Sequence, residues 1–455
     1  MLIPNFKENF SKTFYLAYPV MLSQLGQVLV GVADSMMVGR LGAVPLAAAS
    51  LANSIFFVVL MFGIGISMAM TPLVAMADGK NKGKRIARLF NHGFTINMVG
   101  GVILFFLILL VSPFLKHLNQ PEEVVVMAVP YLAIITFSLL PFMLFQTFKQ
   151  FAEGLSQTKQ AMYITIFCNV INVFLNWVMI YGNLGFPALG LNGAGWATLI
   201  SRIMMGLMMA YYVWNSKRYS TYNLSLGFKK LSFPMFSKLI KIGVPTGFQF
   251  IFEVGAFSAA AIMMGWIGVT ALAAHQIAIN LASISYMMAS GLSTAAMVRV
   301  GNQLGRNDIK TLREAGFTVF VMVAIFMSVS AILFIVFREF LPSLYIDDVS
   351  VIQMSATLLV IAGFFQLSDG IQVVGLGALR GMSDVRVPTI VTLVAYWVIG
   401  LPLGYILAFS FGMEEVGIWV GLLIGLTVTG IMLLYRFHKL SQRLLLSQKT
   451  NLSAG

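Results

Sequence analysis

The chain has 455 residues, of which 59% are hydrophobic and 10% charged, whereas a soluble domain carries roughly 25% charge. Apolar stretches of about 18 or more residues recur from end to end, each long enough to cross a ~30 Å hydrocarbon layer. This excludes a soluble globular protein, and the lack of short alternating strands excludes a transmembrane β-barrel. The net charge of +13 does not point to nucleic acid, because the basic residues are dispersed through short connections rather than gathered in one domain.

Twelve helical spans are predicted, at 14–38, 46–77, 92–114, 126–148, 160–182, 188–213, 239–264, 270–298, 315–337, 351–379, 387–410 and 416–436. No cleavable signal peptide is expected, since MLIPNFKENFSKTF runs directly into a long apolar segment with no short apolar region and cleavage site. One set of connections (KENFSK, DGKNKGKRIAR, KQFAEGLSQTK, the 214–238 stretch, RVGNQLGRNDIKTLRE, LRGMSDVR and the tail) holds about 25 of the 29 basic residues. The opposite set holds Arg40, Lys116 and Arg338, and Arg202 lies inside a span. Positive loops face the cytoplasm, so both termini are expected there. The lone cysteine, Cys168, is expected to pack between helices.

The longest connection divides the chain 6 + 6, into an N-terminal lobe 1–213, a cytoplasmic linker 214–238 and a C-terminal lobe 239–455. The lobes are repeats. At a constant offset of 226, Pro19 pairs with Pro245, Gly39 with Gly265, Gly42 with Gly268 and Leu46 with Leu272. The register holds through Gly65/Gly291, Ser67/Ser293, Gly79/Gly305, Asn81/Asn307 and Lys84/Lys310, and EGLSQTK resembles RGMSDVR at an offset of 227. The expected fold is an all-α polytopic membrane protein of twelve transmembrane helices in two pseudo-symmetric six-helix bundles. Six spans per repeat give both repeats one membrane orientation, as in two lobes rocking about a central cavity.

Of the sixteen acidic residues, three fall at membrane depth by these spans: Asp34 in VGVADSMMVG, Glu253 in FIFEVGAF and Asp369 in FFQLSDGIQVVG. Each costs about 2.5–3.5 kcal/mol at a helix centre. A structural ion pair is one reading, but Arg202 is the only cation placed at that depth and cannot pair with three acids. The other reading is a hydrated path binding a proton, a sodium ion or a cationic solute. Uncharged oxygens that can complete a cage are Gln276, Asn280 and Tyr286 in the eighth span, Asn169, Asn172 and Asn176 in the fifth, and Thr198 in the sixth. Asn172 and Asn176, four apart, share a helix face. For each of these a packing hydrogen bond is the alternative. Sodium suits carboxylate, amide and phenol oxygens together. The 29 methionines and 37 phenylalanines mostly face lipid or other helices; those turned inward give an adaptable wall for bulky organic cations.

No G-x-x-x-x-G-K-[ST] phosphate loop or H-E-x-x-H occurs, and GLGALRG is not a dinucleotide fingerprint. Energy must then come from an ion gradient, the membrane potential or a partner.

The duplication, ADSMMVGRLGAVPLAAASLA and its counterpart FEVGAF…LAAHQIAINLASISYM resemble the multidrug and toxic compound extrusion (MATE) family, in its NorM-like bacterial branch, over essentially the whole chain. The resemblance implies an inner-membrane antiporter, not an enzyme, that exports cationic amphipathic drugs and dyes against inward sodium or proton flow, with no cofactor beyond that coupling ion. It implies a cation site in the C-terminal lobe at Glu253, Asp369 and Tyr286, where Na+ can bind. A second cation or proton site is expected in the N-terminal lobe at Asp34 with Asn172, Asn176 and Thr198. The other prokaryotic branch has a second acid in the fifth span, where this chain has Asn172 and Asn176. Substrate contact is implied for Gln276, Asp34, Asp347 and Asp348, solvated surface charge being the alternative for the last pair. The expected partners are the lipid bilayer and small cationic organic solutes, with no nucleic acid, and the chain is expected to act as a monomer. A lipid-linked saccharide flippase of the same superfamily, which needs basic residues in its cavity, and an intramembrane enzyme are the alternatives.

Overall fold

The computed structural model describes residues 6–117, 121–226 and 232–453. Residues 227–231 of the expected 214–238 linker, Lys229 and Lys230 among them, lie outside the described residues. Twelve helical segments are long and apolar enough to cross a membrane: α1 (Phe6–Gly39), α2 (Ala43–Gly79), α3 (Gly83–Leu115), α4 (Glu122–Gly154), α5 (Lys159–Tyr181), α6 (Leu191–Asn215), α7 (Phe233–Ile267), α8 (Val269–Arg306), α9 (Ile309–Val336), α10 (Val349–Gly381), α11 (Arg386–Ser410) and α12 (Glu414–Gln448). Among the described residues there is no β-strand. Only helices and closed barrels satisfy their backbone hydrogen bonds without water, so a chain this apolar has few other choices.

All twelve predicted spans are present, but several helices outrun the apolar windows that mark them. The stretches KQFAEG, RVGNQLGR and LRG, expected in connections, are the last turns of α4, α8 and α10. Lys149, Glu153, Arg299 and Arg380 are consequently buried. This corrects two expectations: Arg202 is not the only cation inside the helical bundle, and Glu153 is a fourth acid within it. The reason is that these polar ends lie against protein rather than lipid.

The repeat is visible in backbone geometry. Gly42 (φ 124°) and Gly268 (φ 156°) form the turns α1–α2 and α7–α8, where a side chain would be strained. Asn81 (φ 52°) and Asn307 (φ 60°) close α2 and α8, and Ser156 (φ 62°) and Ser383 (φ 61°) follow α4 and α10. Each pair stands at the offset read from the sequence. Asp308 caps α9, its Oδ1 accepting from Thr311 N at 3.0 Å.

The compact units do not follow the linker. One comprises Leu22–Gly247, here the N-unit; the other comprises Met1–Met21 with Phe248–Gly455, here the C-unit. The boundaries fall inside α1 and α7, at equivalent positions of the two repeats. The first part of each of these helices thus belongs with the other repeat.

Close packing within each unit shows how this is held. In the N-unit, a Cβ on Gly65 of α2 would lie 2.4 Å from Gly247 Cα of α7. In the C-unit, a Cβ on Gly291 of α8 would lie 2.5 Å from Met21 Cγ of α1. These two contacts are the same contact in the two repeats. The C-unit also grips α1 through Arg299, whose Nη1 donates to Asn9 O at 2.8 Å and to Thr13 Oγ1 at 2.7 Å. A Cβ on Gly291 would also lie 2.9 Å from Met21 N; backbone neighbours cannot give way as side chains do, so Gly65→Leu and Gly291→Leu are each expected to exceed the usual ~1–3 kcal/mol of overpacking. The measurement is the yield of monodisperse protein after detergent extraction. Gly100→Ala, with nothing within 4 Å of the added Cβ, should leave that yield unchanged.

Candidate cation and substrate sites

In the N-unit, α1, α2, α4, α5 and α6 enclose a cavity of about 590 Å³, lined by Asp34, Tyr131, Asn172, Thr198, Ser201 and Arg202 among others. Asp34 Oδ1 accepts from Asn176 Nδ2, and the same nitrogen reaches Asn172 Oδ1 at 3.2 Å. The four-residue spacing on α5 thus sets the two amides side by side, with Asn176 on the carboxylate and Asn172 behind it. Asn176 Oδ1 is buried without a hydrogen-bond partner, leaving an acceptor over. Tyr181 OH donates to Met37 O at 2.7 Å and ties α5 to α1 beside Asp34. The expected Asp34, Asn172, Asn176 and Thr198 are therefore brought together.

Arg202 lines the same cavity. Its Nη1 donates to Ser138 Oγ at 2.7 Å, and its guanidinium lies over Phe56 and Phe142, 5.1 and 5.0 Å from the ring centroids. Aromatic faces favour a cation, and Ser138 lies at the break in α4 between Phe137 and Leu139. Among the described residues no ion pair within 4.0 Å reaches Asp34, Glu253 or Asp369. The charges in the cavity are neighbours, not a locked bridge.

In the C-unit, Glu253 on α7 and Asp369 on α10 are 5% and 3% exposed. Tyr286 of α8 hydrogen bonds Glu253, its hydroxyl donating to the carboxylate. Gln372 Nε2 donates to Glu253 Oε1 at 3.5 Å, and Tyr396 OH donates to Gln372 Oε1 at 2.9 Å. Tyr396 belongs to a π-helical stretch of α11, Val394–Gly400, a widening that often marks a functional position. Trp397 in the same stretch donates to Phe252 O at 3.0 Å. Gln372, Tyr396 and Arg380 were not singled out by sequence, although Gln372 and Arg380 stand three and eleven residues after Asp369, spacings that keep them on or near its face. Among the described residues no three or more His, Cys, Asp or Glu side chains are grouped to hold a metal. A sodium ion here would draw on two carboxylates plus amide and phenol oxygens.

The expected substrate contacts are not part of this cluster. Gln276 is exposed, its Nε2 donating to Asn280 Oδ1 at 3.2 Å. Asp348 is the N-cap of α10, accepting from Ser350 N at 2.8 Å and Ser350 Oγ at 2.6 Å. Those bonds hold its carboxyl below the usual carboxylate range. It stands 21 residues before Asp369, ~30 Å along the helix. Asp347 beside it is exposed. The capping role of Asp348 is one the sequence reading did not consider.

The sequence model of the MatE family matches residues 19–178 and again 245–406, the duplication in the register found above. The chain belongs to the MATE family. Within it, the chain is 35% identical over 438 residues to a probable multidrug resistance protein NorM of Mesorhizobium japonicum, covering 95% of this chain and 94% of that protein. It is 34% identical over 433 residues to the multidrug resistance protein MdtK of Yersinia pseudotuberculosis, covering 94% and 95%. The fold is that of a eukaryotic MATE transporter, AtDTX14, at a TM-score of 0.87 and 20% identity over 97% of this chain and 99% of that one. This NorM-like MATE protein is a multi-pass membrane transporter, not an enzyme.

Proposed function

We propose that this MATE protein is a cation-coupled multidrug antiporter of the bacterial inner membrane, with both termini cytoplasmic, exporting cationic amphipathic drugs and dyes in exchange for Na+ or H+. The observation that carries this is the pair Glu253 and Asp369, buried together without a bridging cation side chain within 4.0 Å among the described residues. Two carboxylates so placed are costly unless a cation or proton joins them. The names of the NorM and MdtK relatives, each a multidrug resistance protein, support the solute class, and the bias of basic residues supports the orientation.

In this reading Glu253 and Asp369, with Tyr286, bind the coupling ion. Its arrival neutralises the acids, weakens their hold on a positive solute and favours release outward as access alternates. Asp34, with Asn172, Asn176 and Thr198, supplies a second cation or proton site, and the cavity it lines receives part of the solute. Gln276, Asp347 and Asp348 lie outside both clusters and act, if at all, on solute in transit. A one-for-one exchange of monovalent ions is electroneutral, whereas each net charge crossing the membrane is worth about 2.3 kcal/mol per 100 mV. Arg202 in the N-unit cavity is the one feature that favours the flippase alternative; Asp34 in that cavity, Glu253 and Asp369 weigh against it.

The test is equilibrium displacement of bound ethidium from purified protein at fixed pH. Added sodium should release the dye, and Glu253→Gln should remove the response. If sodium is inert and protons release the dye, the coupling ion is H+; if neither does, the antiport reading fails.

A further inference from the structure

Arg380 stands at the end of the C-unit acid cluster, and the coupling scheme gives it nothing to do. It is 5% exposed, and its Nη2 donates to Gln249 Oε1 at 2.9 Å while its guanidinium lies over Phe250, 5.3 Å from the ring centroid. Gln249 is 1% exposed and stands four residues before Glu253 on α7. The two side chains therefore share a helix face, ~6 Å apart along the axis. On α10, Arg380 follows Asp369 by eleven residues, about three turns, so it lies below Asp369 on the same face. Helical side chains lean toward the N-terminus of their helix, which for Arg380 is the direction of Asp369.

Two donors in this layer are unpaired. Arg380 Nε and Gln249 Nε2 are buried without hydrogen-bond partners, an arrangement that is costly for each group unless another state satisfies it. Glu253, one turn from Gln249 on α7, lies in the field of Arg380. Charge gives the second argument. Glu253 and Asp369, both ionised, carry −2; Arg380 returns +1; one monovalent cation completes neutrality in a buried site.

Resting on the antiport reading above, we propose that Arg380 is a positioning residue for the coupling ion: a tethered counter-cation, held one turn from Glu253 by Gln249. With the ion bound, its repulsion keeps affinity low enough for release. After the ion leaves, Glu253 turns to the unpaired donors of Arg380 and Gln249. One arginine and two carboxylates set one monovalent ion as the load of this site.

The test uses the ethidium displacement assay on purified full-length protein, with sodium at fixed pH and protons at fixed salt. For charges within ~8 Å at an effective dielectric of about 20, Arg380→Gln should lower the half-saturating sodium concentration about 10- to 50-fold. For a proton-coupled protein it should raise the displacement midpoint by about one pH unit or more, because losing a nearby positive charge makes a carboxylate more basic. Arg380→Lys keeps the charge and should stay within a few-fold of the wild type. Gln249→Leu frees the guanidinium toward Glu253 and should shift the midpoint the opposite way; it decides the matter if Arg380→Gln does not fold. A wild type that responds to ions, with Arg380→Gln and Gln249→Leu unchanged or both shifted alike, overturns the proposal and leaves antiport standing. A wild type that responds to neither ion removes the antiport reading and this proposal with it.

Discussion

Cells expressing Glu253→Gln or Asp369→Asn are expected to accumulate ethidium like cells lacking the transporter, while the variant reaches the membrane in normal amount. An amide keeps the shape of a carboxylate and removes its charge, so packing around α7 and α10 is retained. What is lost in each is one of the two carboxylates that hold the coupling ion in the proposed exchange. Each neutralisation also removes a costly buried charge, so neither should hinder insertion. The expected fall in efflux is about 100-fold or more, since an exchange that cannot load its driving ion does not turn over. Asp34→Asn is expected to be milder, because Asn172 and Asn176 still offer oxygens in the N-unit cavity. Normal efflux from Glu253→Gln or Asp369→Asn would remove that residue from the mechanism.

The second large effect concerns stability. Lys149 and Glu153 lie one turn apart on α4, 5% and 2% exposed, with Nζ and Oε1 3.8 Å apart. The pair itself contributes little net stability, because burying two charges costs several kcal/mol per ion. Removing one partner is another matter: the remaining charge is left in the interior, at about 3–5 kcal/mol. Lys149→Met and Glu153→Leu should each sharply lower the thermal midpoint of the purified protein, and the double variant should recover most of the loss. Single variants as stable as the wild type, or a double no better than either single, would contradict this account. The neighbouring polar layer, in which Thr71 donates to Gln150 O at 3.1 Å and Asn97 Nδ2 to Thr147 Oγ1 at 2.9 Å, is satisfied and should be undisturbed.

The twelve spans were legible because lipid imposes a length and an apolar content that few sequences meet by accident. The repeat was legible because glycine and asparagine recur where the backbone needs positive φ, at Gly42/Gly268 and Asn81/Asn307. Hydropathy failed at Lys149, Glu153, Arg299 and Arg380 for a physical reason. It distinguishes lipid from water but is blind to a polar protein interior, so a helix whose last turns are buried in protein reads as a loop. The exchange of the first parts of α1 and α7 between the units was hidden as well, since a boundary inside a continuous helix leaves no linker to find. At the sites, spacing along one helix put Asn172 and Asn176 on one face, and they do lie side by side, with Asn176 on Asp34. Partners from other helices, such as Tyr396 and Gln372 beside Glu253, depend on packing that spacing cannot supply.

The central claim is that a cation gradient, taken up by Glu253 and Asp369, drives outward movement of a positive solute. Purified protein in sealed vesicles, with sodium and pH gradients imposed separately, tests it most directly. The account predicts ethidium movement under at least one gradient with the wild type, and none under either with Glu253→Gln or Asp369→Asn. Gradient-driven movement that persists in both variants would contradict it.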